Sequence, residues 1–97
     1  MAATEKKQLR TVEIDGDTWH VDDKKAKGWK SFELCGVLAK KNADVFEQAD
    51  AAFELIEYTS DCTREAIVDK FGGDDASPQE VVKYALQLVA EIAPKNS

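Results

Sequence analysis

An Asp-Gly pair at residues 15 and 16 separates two β-prone runs, LRTVEI (residues 9–14) and TWHV (residues 18–21). Few dipeptides restrict a chain so strongly. A two-residue hairpin turn of type I′ needs positive φ at both central positions, which Asp and Gly tolerate, and its twist matches that of the flanking strands. The turn then fixes the register. Ile14 faces Asp17, Glu13 faces Thr18 and Val12 faces Trp19, so Val12, Ile14, Trp19 and Val21 share one face. Glu13, Thr18 and His20 take the other. A slip of one residue would scatter the apolar set over both faces. A two-stranded hairpin is marginal alone, so its apolar face has to rest on whatever the remaining residues form.

Those residues read as helices. Asp22 or Asp23 can cap a short turn at 23–27, and Gly28 weakens the start of the helix that follows, from about Trp29 to Lys41. Its expected inward stripe is Phe32, Cys35, Gly36 and Ala39, with Leu34 and Leu38 beside it, while Lys30, Glu33, Lys40 and Lys41 stay in water. Asn42 and Asp44 suit the start of the next helix. There Val45, Phe46, Ala49, Ala52, Phe53 and Ile56 recur at helical spacing, with Glu47, Gln48, Asp50, Glu54 and Glu57 opposite. Ser60 or Asp61 is expected to cap a shorter helix over CTREAIVDKF, turning Ala66, Ile67 and Phe71 inward and ending at Gly72-Gly73. Ser77, Pro78 and Glu80 predict the last helix start, with a capping box and proline at the first helical position, and Pro94 is its stop. The fold class expected is α+β: an N-terminal β-hairpin packed on a small bundle of about four helices. Residues 1–8 read as a polar tail, 9–94 as one domain and 95–97 as a short C-terminal tail.

The final helix carries two apolar stripes. Val81, Ala85, Leu88 and Ile92 form one; Val82, Leu86, Val89 and Ala93 form the other. A helix at the edge of a small domain needs one for its core. Either the helix is sunk between its neighbours, or one stripe meets another chain. Periodicity gives the stripes but not their direction. The partner-binding residues expected are Val82, Leu86 and Val89.

Chemistry is harder to find. Asp15, Asp17, His20, Asp22 and Asp23 crowd the hairpin like a metal loop. An EF-hand loop needs oxygen ligands at its first, third and fifth positions and glycine at its sixth. Counted from Asp15, the fifth is Trp19 and the sixth His20. His20 and Asp22 lack a second histidine to complete a zinc site, so no metal site is expected and His20 reads as an exposed strand residue. A Ser–His–acid triad needs a held histidine with a partner serine, whereas the one histidine is placed on the polar face of the hairpin, and no GxGxxG or P-loop spacing occurs. An acyl carrier protein would need Asp-Ser-Leu at a helix start, which is missing. Trp19 and Trp29 read as core or interface residues. No catalytic residue and no cofactor is expected, and the chain is read as a non-enzyme.

Hydrophobic residues make up 43% and charged residues 33%, a folded rather than a disordered balance. The net charge of −6 is unevenly spread. Residues 1–41 hold nine Lys/Arg against seven Asp/Glu, and residues 42–97 hold four against twelve. The acidic second half would repel phosphates, so nucleic acid is not an expected partner. The same split favours head-to-tail contact between copies. No apolar run approaches the roughly 20 residues a membrane span requires. MAATEKKQLR has no apolar signal-peptide core, and Cys35 and Cys62 are expected to remain reduced thiols.

The order of parts carries a family likeness. VEIDGDTWHVDD, GWKSFELCGVLAK, FEQADAAFELI, IVDKFGGDD and SPQEVVKYALQLVAEI follow one another. This resembles the small tail assembly chaperones of long-tailed siphophages and their prophages, from about Leu9 to Ile92. The motifs are patterns of apolar and turn residues, not catalytic signatures; the FELCGVL run with Gly36 departs from the commoner leucine-rich form, and Gly28 weakens the preceding turn. The resemblance implies a non-enzymatic chaperone in the bacterial host cytoplasm. It would bind and solubilise the tape measure protein, recruit tail tube subunits, and be absent from the mature virion. It also implies a longer frameshifted product, of which this would be the short form. A small acidic regulatory or antitoxin-like binding module is the rival reading.

Overall fold

A computed structural model describes residues 9–40, 42 and 44–93; the expected tails, Lys41 and Pro94 lie outside the described residues. Strand β1 (Leu9–Ile14) pairs antiparallel with β2 (Asp17–Asp22) in the register that the Asp-Gly turn requires. Asp15 and Gly16 have φ of 49° and 86°, as a type I′ turn demands. Val12, Ile14 and Val21 are buried, and Trp19 packs against the same core. Gly16→Val is expected to cost about 2 kcal/mol, because a β-branched residue fits the left-handed region badly. Urea denaturation reads the loss, and a variant with the parent's midpoint would argue against a turn that depends on positive φ.

The hairpin leads into α1 (Asp23–Ala26), whose N-cap Asp22 accepts hydrogen bonds from the backbone of Lys24 and Lys25. Gly28 then breaks the chain direction before α2 (Trp29–Ala39). The fold continues with α3 (Val45–Thr59), α4 (Arg64–Lys70), a single 3-10 turn (Gly73–Asp75) and α5 (Pro78–Ile92). The architecture is α+β, with the hairpin's apolar face, α3, α4 and α5 enclosing one core. Val21, Ala52, Leu55, Ile56, Ile67, Leu88 and Ile92 fill much of it. None of the helices among the described residues is long and apolar enough to cross a membrane.

Arg10 closes the hairpin onto α5. Its guanidinium donates to the carbonyls of Glu91 (2.7 Å) and Ile92 (2.9 Å) and to Asp23 (3.2 Å). Free carbonyls and the negative end of the helix dipole attract a cation there. One side chain thus ties β1, α1 and the C-terminus of α5 together.

Four local expectations are corrected. On α2 the inward face is Ser31, Leu34, Cys35 and Leu38, while Phe32, Gly36 and Ala39 are exposed. α2 rests against α1 and α3, and Ser31 satisfies its hydroxyl on the Lys25 carbonyl (2.7 Å), which lets a polar residue take the buried place. On α3, Val45 and Phe46 are exposed, because its first turn runs past the end of the core, whereas Ala52, Phe53 and Ile56 are buried as their spacing predicts. The cap of α4 is Thr63, accepting from the Ala66 N–H, rather than Ser60 or Asp61. Those two are held elsewhere: Ser60 donates to the Ile56 carbonyl and Asp61 binds His20. Finally, Ser77 is the N-cap of α5 with Pro78 behind it, but its side chain makes no capping hydrogen bond.

Candidate functional site

The acids that crowd the hairpin are distributed among separate partners. Asp15 occupies the turn, and Asp22 caps α1. Asp23 binds Arg10 and Lys27. Asp17 receives both the Lys70 ammonium (2.9 Å) and the Tyr84 hydroxyl (2.8 Å). Among the described residues, no three His, Cys, Asp or Glu side chains group as metal ligands.

Asp17 belongs to a relay that sequence reading missed. The Trp19 ring N–H donates to the Tyr84 oxygen (2.8 Å), Tyr84 donates to Asp17, and the Lys70 ammonium lies over the Tyr84 ring. Phe71 meets the same ring edge-on. The Lys70 ammonium first, then the Tyr84 hydroxyl, hold the Asp17 carboxyl below its ordinary value. Burial, added to the neighbouring Asp17 charge, pushes the Tyr84 phenol up against the opposing Trp19 contact, so the phenol stays protonated and keeps donating. The relay fastens β2 to α4 and α5. Tyr84 sits one residue before Ala85 in the inward stripe, and its burial was legible only as a widening of that stripe.

A second seam joins β2 to the α3–α4 junction. Asp61 accepts from the His20 backbone N–H (2.8 Å) and pairs with its ring Nδ1 (2.9 Å), and the Asp61 N–H donates back to the His20 carbonyl (3.1 Å). Val21 and Ser60 form an isolated bridge beside them. His20 is exposed, as expected for the polar strand face, but it is also anchored. The groove next to it has a volume of about 480 Å³ and includes Asp22, Lys25, Glu57 and Tyr58. The nearby hydroxyls are committed. Ser60 donates to Ile56 and accepts from the Cys62 N–H, and Thr59 donates to the Leu55 carbonyl. Cys62 is buried, and burial with the nearby acids pushes its thiol up to about 12. A thiol held protonated is a poor nucleophile. The groove reads as a structural seam.

Asp17, Asp23 and Asp61 all have lowered carboxyl values. For Asp23 the Lys27 ammonium is the main cause; for Asp61 burial pushes upward and the His20 contacts outweigh it. A depressed folded-state value stabilises the fold above the ordinary carboxylate range, and that contribution is lost as pH falls through it. The urea midpoint is therefore expected to decline below about pH 4. Asp17→Asn should lower stability at neutral pH and flatten the decline; an unchanged acid slope would place the effect in other groups.

The remaining candidate surface is apolar. On α5, Val81, Ala85, Leu88 and Ile92 face the core. The three residues expected to bind a partner do not behave alike. Leu86 is 40% exposed, Val82 is half-buried and Val89 is only 8% exposed, a member of the core cluster. Val89 is thus a core residue, and Val82 and Leu86 form the outer edge. More strongly exposed apolar side chains lie on the α2–α3 hairpin. Trp29 and Phe32 are 69% and 67% exposed with ring centroids 5.3 Å apart, and Phe46 is 75% exposed. Trp19 packs against the core; Trp29 does not.

No protein-family model, no curated protein and no solved structure matches this chain.

Proposed function

We propose that this chain is a non-enzymatic phage tail assembly chaperone of the siphophage type, which binds and solubilises the tape measure protein and recruits tail tube subunits in the bacterial host cytoplasm. The observation that carries the reading is the uncovered apolar edge of α5. Leu86 stands exposed beside half-buried Val82, with Val89 linking that edge to the core. An apolar helical segment of a partner can lay its own stripe along such an edge, as helix-in-groove recognition does. The acidic second half around it favours a protein partner over nucleic acid. The order of hairpin, helix, amphipathic helix, glycine-ended helix and proline-started helix supports the same reading.

Co-expression tests it. The wild-type chain, co-produced with a siphophage tape measure protein, is expected to keep that protein soluble and to co-purify with it. Leu86→Asp places a carboxylate on an exposed edge, so the variant should fold and lose the partner. A wild-type chain that leaves the tape measure protein insoluble counts against the function. A folded Leu86→Asp variant that still holds it counts against this edge.

A further inference from the structure

We propose that the outward face of α2 joins two copies of this chain in a symmetric, antiparallel dimer, Trp29 and Phe32 of each copy packing over Ala39 and Gly36 of the other. α2 carries two faces. Ser31, Leu34, Cys35 and Leu38 turn toward the rest of the domain, and Trp29, Phe32, Gly36 and Ala39 recur on the opposite side at helical spacing. Two exposed aromatic rings side by side are unusual on a charged surface and are the residue types that anchor interfaces.

The order of sizes identifies the occupant. The stripe reads large, large, small, small from the N-terminus of α2 to its C-terminus. A two-fold axis makes an interface isologous, and where the axis is perpendicular to the helices each patch meets its own copy reversed. Reversal sets the aromatic half against the small half. Gly36 fits this closely. Nothing lies within 4 Å of a Cβ built on it, so packing inside the chain does not require glycine there. A helical glycine is less favourable than alanine, and close approach of a second helix gives it a use.

Charge points the same way. Glu33 and Lys40 are two turns apart on one edge of the stripe. An antiparallel pair keeps this edge of both copies on the same flank of the contact and brings Glu33 of each copy toward Lys40 of the other, while a parallel two-fold pair would put the two edges on opposite flanks and offer no such pairing. The area is adequate. After Ala39 the chain turns back into α3, so exposed Val45 and Phe46 lie at the far end of the helical hairpin from Trp29. Antiparallel pairing brings the Trp29 end of each copy to the Val45–Phe46 end of the other. Covering these four side chains on both copies removes about 1,000 Å² from water, the lower bound for a specific interface. This contact closes on itself, unlike the open head-to-tail assembly that the charge split along the chain favours. It is independent of the tape measure reading, which uses α5.

Sedimentation equilibrium of the full chain from micromolar to near-millimolar concentration is the test, with circular dichroism as the check of folding. The wild type should approach twice the chain mass and go no higher. Phe32→Glu alters an exposed side chain, so it should keep its helicity and sediment as a monomer. Each truncated hot spot weakens binding about thirtyfold, and the change enters the dimer twice, giving about a thousandfold. Glu33→Lys and Lys40→Glu should each weaken the dimer, and the double exchange should restore it. A wild type that stays monomeric overturns the proposal. So does a dimer that survives Phe32→Glu, an exchange that fails to rescue, or a mass that keeps climbing with concentration.

Discussion

Tyr84→Ala is expected to remove roughly half of the folding stability. Tyr84 is among the largest fully buried side chains among the described residues, at 1% exposed. Deleting a buried aromatic side chain costs about 3–5 kcal/mol, since the lost transfer energy is joined by a cavity that the neighbours only partly fill. A domain of this size has about 5–15 kcal/mol in total. The truncation also leaves the Trp19 ring N–H without its acceptor and Asp17 without one of its two donors. In a thermal melt the midpoint should fall by at least about 12 °C, taking about 4–8 °C per kcal/mol. Tyr84→Phe separates the two contributions. It keeps the ring, the edge-on contact with Phe71 and the packing under Lys70, and it loses the hydroxyl alone. A cost of about 1–2 kcal/mol is expected for that variant. If Tyr84→Ala and Tyr84→Phe melt together, the ring contributes little and the relay carries the site.

How much of this could be read from the residues differs by element, and the differences have physical causes. The hairpin was legible in full. Asp15 and Gly16 allow one turn, the turn allows one register, and the register leaves one face for Val12, Ile14, Trp19 and Val21. The middle of α3 and the two apolar stripes of α5, though not which of the two faces inward, were legible for a related reason, since their apolar residues recur at helical spacing over fifteen residues each. α2 was not. Its apolar residues occupy more than one side, so periodicity offers two stripes, and the wrong one was expected to face inward. What settles the choice is tertiary: α2 docks on α1 and α3, and Ser31 can be buried there because the Lys25 carbonyl accepts its hydroxyl. A serine seldom counts as core in a sequence reading, so the true stripe passed unseen.

The polar seams were hidden for another reason. His20 and Asp61 are 41 positions apart, Trp19 and Tyr84 are 65 apart, and Arg10 reaches carbonyls 81 and 82 positions away. No local pattern announces such pairs. The acidic look of the hairpin was a real signal with a different meaning. Its carboxylates serve a lysine, a tyrosine, an arginine and a helix N-terminus in turn, and so they hold the hairpin on the helices. Structural pairing of this kind also accounts for the lowered carboxyl values without any catalytic role.

Val89→Asp and Leu86→Asp are expected to give opposite results although the residues are three apart on one helix. Val89 is 8% exposed and belongs to the core cluster with Ala85, Leu88 and Ile92. A carboxylate there would lose its water without gaining a partner. An unpaired buried charge costs several kcal/mol, a large share of the whole stability of a small domain. Val89→Asp should therefore accumulate as insoluble protein, or show a urea midpoint far below that of the parent. Leu86 lies 60° further round the helix, at roughly 100° per residue, where its side chain is 40% exposed. A carboxylate there stays hydrated, and surface substitutions of that kind fall within about 0.5 kcal/mol. The paired measurement separates core from surface on a helix where periodicity left the direction open. If Val89→Asp folds with the parent's midpoint, α5 does not pack as described, and the apolar edge that carries the chaperone reading would have to include Val89 after all. If Leu86→Asp is the variant that unfolds, that edge is core and the partner-binding surface has to be sought on α2 and α3.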